Sequence, residues 1–68
     1  MKITFNNKRV ETEKAEWHTM FSPSQNNWLI KFYSVDEKYQ TSEYYPTQND
    51  AEQRLIKILL RIQEYKKL

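Results

Sequence analysis

No cysteine and no glycine occur among the 68 residues of this chain, and each absence closes off a way of folding or functioning. Without cysteine there are no disulfides, no iron–sulfur clusters and no thiolate zinc sites. A chain near this length buries only about 60% of its unfolded surface, so its stability has to come from dense packing. Aromatic residues at 15% supply that density, with Trp17, Trp28, Phe5, Phe21, Phe32 and five tyrosines. Without glycine the phosphate-cradling loops that only glycine permits are excluded as well.

One domain is the expectation, spanning 1–68. The first residues, Met1-Lys2-Ile3-Thr4-Phe5, lack the long apolar stretch and small-residue cleavage site of a secretion signal, and no apolar run approaches the roughly 18 residues that a membrane-spanning helix needs. Cysteine-free composition suits a reducing, cytoplasmic setting, the host cytoplasm if the gene is a phage's. Plentiful Lys, Asn, Ile, Tyr and Gln with only two alanines suggest an AT-rich bacterial or phage genome and a complete small reading frame. The net charge of +2 is unevenly placed: residues 1–46 balance to zero, and the excess lies in 47–68, in Arg54, Lys57, Arg61, Lys66 and Lys67. That footprint is weak for a dedicated nucleic-acid binder.

The fold expected is α+β: a small antiparallel sheet of three to five strands packed against one C-terminal helix. Thr47 suits an N-cap, and Asp50 stands where a capping-box acid would reach back. Ala51, Leu55, Ile58, Leu59, Ile62 and Tyr65 then recur at helical spacing, predicting a helix over 47–66. Asp50 and Glu52 at its start and Lys66 and Lys67 at its end complement the helix dipole. Residues 28–33 and 39–45 read as two strands of a hairpin turned at Asp36. Residues 15–21 fit a strand or one helical turn; strand is preferred, completing a meander over 15–45. Asn6 and Asn7 can take up left-handed turn conformations, suggesting a first hairpin over 1–12. Ala51, Leu55, Ile58, Leu59 and Ile62 are expected to pack on one sheet face with Trp28, Ile30, Phe32 and Tyr45.

Nothing in the sequence calls for catalysis, a metal or a cofactor. His18 is the single histidine and has no partner pattern around it, and Glu11, Glu13 and Glu16 read as a solvated face. A non-enzymatic binding module is the expected class. Alternation sends Tyr33 and Tyr44 away from Phe32 and Tyr45, leaving more aromatics than one helix can cover. Tyr33, Tyr39 and Tyr44, with Lys31 and Lys38 at the rim, are therefore the expected partner surface; the competing reading has the N-terminal hairpin cover this face. Arg54, Lys57 and Arg61 form an i, i+3, i+7 stripe that could meet a phosphate backbone or an acidic protein. The plainer reading is a solvated helix face with Asp50 and Arg54 paired. Ile56 and Leu60 fall around 100° to 140° from Leu55 on the helix and suggest a homodimer seam or partner surface, unless the hairpin folds over them.

Residues 28–33, then Asp36-Glu37-Lys38, then Tyr45-Pro46-Thr47 and Asp50-Ala51-Glu52, resemble the arm-site DNA-binding domain of phage-type tyrosine integrases, itself related to the plant ethylene-response domain. The resemblance spans roughly residues 15–62. It implies a three-stranded sheet plus helix and DNA bound by the sheet, here through Lys31, Lys38, Tyr39, Gln40 and Ser42. Where that family usually has Asp-Gly and then lysines and arginines, this chain has Asp36-Glu37 and, after Lys38, only Glu43. Two functions are expected from these readings. One is a phage or mobile-element protein that inhibits a host or defence protein, such as a CRISPR nuclease, by direct binding. The alternative is sequence-specific DNA binding.

Overall fold

The structure is a computed structural model describing residues 1–67. It is α+β: five strands in two antiparallel sheets, followed by one helix. Strands β1 (Lys2–Phe5) and β2 (Lys8–Glu11) form a two-stranded hairpin, and β3 (Ala15–Ser22), β4 (Asn27–Ser34) and β5 (Tyr39–Tyr45) form a three-stranded meander with β4 in the centre. Helix α1 covers Gln48–Lys66. Residues 15–21 are thus strand, as preferred.

A chain without glycine still has to turn, and it does so chiefly with asparagine. Phe5 pairs with Lys8 across Asn6 and Asn7, at φ 51° and 60°, the left-handed pair that a two-residue type I′ turn demands. Asparagine tolerates that region because its short amide can bond locally to the backbone. Asn26, at φ 51°, closes the β3–β4 turn in the same way. Lys38 closes the β4–β5 turn at φ 53° without any such help. The open end of the first hairpin is tied by the N-terminal ammonium donating to Glu11 at 2.6 Å and the Thr12 hydroxyl donating to the Met1 carbonyl at 2.9 Å.

Register decides which side of the meander is covered. Trp17, Phe32 and Thr41 lie in one cross-strand row, Thr19, Ile30 and Glu43 in the next, and Phe21, Trp28 and Tyr45 in a third. Alternation puts these on one face. Phe5 packs on that face, 5.3 Å from the Trp17 ring in an edge arrangement and 6.1 Å from Phe32. Ala51 and Ile58 of α1 join the same cluster with Ile3, Val10, Ile30 and Phe32. Hairpin and helix therefore sit side by side on a single sheet face. Each fully buried large side chain there, Phe5, Phe32 or Ile30, stabilises the fold by about 1.5–3 kcal/mol.

The helix begins as its sequence suggests. Pro46 keeps its predecessor extended, and the Thr47 hydroxyl accepts the Asp50 amide at 3.2 Å. Its packing differs from expectation at one position. Ala51 and Ile58 are buried and Leu55 and Ile62 half-buried, but Leu59 is exposed. Leu59 lies about 100° around the helix from Ile58 and is turned off the sheet.

Candidate partner-binding face

Among the described residues, nothing lies over the second face of the meander. Because hairpin and helix both occupy the first face, the reading in which the hairpin covers Tyr33 and Tyr44 does not hold. Three cross-strand rows make up the uncovered face: Met20–Leu29–Tyr44, His18–Lys31–Ser42 and Glu16–Tyr33–Gln40. The first row is apolar across all three strands. Leu29, at its centre, is only 8% exposed, because Met20 and Tyr44 flank it, while Tyr44 itself is 48% exposed. Lys31 and Tyr33 are half-buried and lie in adjacent rows. One base, Lys31, and one acid, Glu16, share the face, with His18 at 3.8 Å from Glu16. The face is close to charge-balanced.

Only part of the expected site assembles here. Lys31, Tyr33 and Tyr44 do lie together. Lys38 is exposed in the β4–β5 turn, at the end of the sheet. Tyr39 does not belong: it pairs with Ser34 on the covered face, packs against the core and takes the Lys8 ammonium 5.6 Å above its ring. Counting back from Tyr45 in steps of two gives that result, because Tyr39, Thr41, Glu43 and Tyr45 must share a face. The same correction removes Tyr39 from any DNA-reading set.

Arg54 is a structural residue. Its guanidinium donates to Glu43 at 3.2 Å and to the Thr4 carbonyl at 3.0 Å, joining helix, sheet and first hairpin. It pairs with Glu43 rather than with Asp50, which leaves Lys57 and Arg61 alone on the exposed flank of α1, on the other side of the sheet from Lys31. The eight residues do not form one surface.

Around Arg54 lies the most polar spot in the packed layer. Glu43 accepts the Asn6 amide at 2.7 Å and the Tyr45 hydroxyl, in addition to Arg54. Partial burial opposes its ionisation, but these donors together prevail and hold its carboxyl below the usual glutamate range. Tyr45, by contrast, is pushed up to about 12 by burial and by its bond to the Glu43 carboxylate. These groups hold one another in place, and no pocket opens beside them among the described residues. Nor do three His, Asp or Glu side chains converge as metal ligands would among those residues. Among the described residues, no helix is long and apolar enough to cross a membrane.

Met20 and Leu29 are the members of the apolar row that the expected partner surface did not include. Once residues 15–22 form a strand, Trp17 pointing inward sends Glu16, His18 and Met20 outward. No protein-family model, no curated protein and no solved structure matches the chain.

Proposed function

We propose that this chain is a non-catalytic binding domain that engages a partner protein through the uncovered face of β3–β4–β5, with Met20, Leu29 and Tyr44 as the contact centre and Lys31 and Tyr33 beside them. The observation that carries the reading is the apolar cross-strand row set in a charge-balanced surface. Aromatic and methionine side chains presented side by side on a sheet suit a protein interface, where a few such residues dominate the binding energy. A DNA-reading sheet neutralises phosphates with several cations, and the three rows of this face have one lysine, Lys31, with the acidic Glu16 in the next row. A chain of this build acts by occupying a surface. Blocking a host or defence enzyme, a CRISPR nuclease for instance, is the role that suits a phage or mobile-element protein of this kind.

The test compares wild type with Tyr44→Ala and Met20→Glu, using Lys57→Ala as a control on the far side of the molecule. A partner retained by wild type and the control should be lost by both face variants. With the purified partner, Tyr44→Ala should weaken binding by more than about 1 kcal/mol while the melting curve stays in place. Equal retention by all four proteins would overturn the proposal. So would tight binding to duplex DNA that collapses between 50 and 200 mM salt, which is how the arm-site reading would reveal itself.

A further inference from the structure

Helix α1 has a second apolar surface, separate from the sheet face above and pointing away from the core. Ile56, Leu59 and Leu60 are 45–51% exposed and adjoin one another on its outer side. The first hairpin lies on the sheet beside the helix and does not fold over them. Together they expose on the order of 300 Å² of aliphatic surface, the size of the largest apolar patch on a typical monomer, which is often functional.

The polar residues along the same strip indicate what fits there. At spacings of three and four, the strip runs Glu52, Ile56, Leu59 with Leu60, Gln63, Lys67, a single line along one side of the helix about 22 Å long. Its N-terminal end is acidic, its C-terminal end is basic, and its centre is aliphatic. Glu52 has a neutral partner, the Gln48 amide at 2.9 Å, and neither Glu52 nor Lys67 is in an ion pair among the described residues.

We infer that this strip pairs with the same strip of a second copy, the two helices running antiparallel about a two-fold axis near Leu59 and Leu60. In that arrangement Leu59 and Leu60 of one chain meet those of the other. Each Ile56 lies over the aliphatic stem of the other Gln63, and Glu52 of each chain faces Lys67 of its mate, twice by symmetry. The parallel arrangement sets Glu52 against Glu52 and Lys67 against Lys67, so the charges select the antiparallel one. The small apolar centre makes a dimer that forms at high concentration and dissociates on dilution. Pairing leaves the uncovered sheet face free, since that face lies on the other side of the sheet, so the dimer would present two such faces.

Sedimentation equilibrium over a concentration series up to about 1 mM tests this, that being the weak end of measurable affinity. Wild type should pass from one chain mass towards two. Leu60→Glu should remain at one chain mass across the series, with a circular dichroism spectrum and dilute-solution melting curve like the wild type's. Glu52→Lys should shift the midpoint to at least tenfold higher concentration, and adding Lys67→Glu should restore it, because the exchanged charges face each other again. A wild type that stays at one chain mass throughout overturns the inference. Association that survives Leu60→Glu overturns it too, as does a double exchange that does not recover the wild-type midpoint.

Discussion

Lys38 holds a backbone position that favours glycine. At φ 53° its Cβ crowds the following carbonyl, a conflict worth about 1–2 kcal/mol for a residue with an ordinary side chain. Glycine removes the clash but has more freedom to lose on folding, so Lys38→Gly should raise stability by about 0.5–1 kcal/mol, read from the urea midpoint. Lys38→Ala keeps the Cβ and should bring no gain. Glu43 gives a pH signature. Its pKa in the folded chain lies below the ordinary value, so its stabilising effect is complete above about pH 4.3 and is lost as the pH falls through the folded value. Acid denaturation of wild type should therefore be steeper than that of Glu43→Gln, which has no such charge to lose. Tyr45 acts in the opposite sense. Raised to about 12, it keeps its contribution below about pH 10 and gives it up as the pH climbs through 12.

At the level of elements, neighbouring positions on α1 have opposite fates. Ile58 is buried among Ile30, Phe32 and Ala51, and Ile58→Ala should cost about 2–5 kcal/mol. Leu59 is the next residue along and projects outward, so Leu59→Ala should change monomer stability by no more than about 0.5 kcal/mol in dilute solution. Equal losses at the two positions would show that the helix is rotated from the orientation described. Thr47→Ala should cost about 1 kcal/mol, because the Asp50 amide at the helix start loses its acceptor.

One core serves the whole molecule. Phe5 packs against both Trp17 and Phe32, which also touch each other, and Arg54 reaches from the helix to the Thr4 carbonyl, so hairpin, sheet and helix each complete the others. Removing residues 1–12 would strip Ile3, Phe5 and Val10 from the core and leave Trp17 and Phe32 open to water. The shortened chain should lose cooperative thermal unfolding altogether, because the total stability of so small a domain is only about 5–15 kcal/mol. A truncated form that still melts in one sharp transition would mean that the meander and helix form a self-sufficient unit.

Local chemistry alone determined the elements. Asn6-Asn7 announced a left-handed turn, Tyr45-Pro46-Thr47 an extended approach to a capped helix, and the alternation within 28–33 a strand with two different faces. These depend on a few adjacent dihedrals and on periodicity, which adjacent residues control. Alternation even held the answer for Tyr39, two steps of two from Glu43. Which faces were covered could only be decided in three dimensions. The first hairpin could have lain over Tyr33 and Tyr44, over Ile56 and Leu60, or beside the helix, and pattern weighs these about equally. Phe5 settled it by packing against the touching pair Trp17 and Phe32, where a full aromatic side chain leaves water, and that gain exceeds what a half-covered tyrosine could offer elsewhere. Arg54 followed from the same choice. Its partner was Glu43, 11 residues back in the chain, and not Asp50 one turn away, because only the packed fold sets a partly buried carboxylate beside the helix. The exposure of Leu59, and with it the aliphatic strip on α1, came from how the helix is rotated on the sheet, which no helical spacing contains.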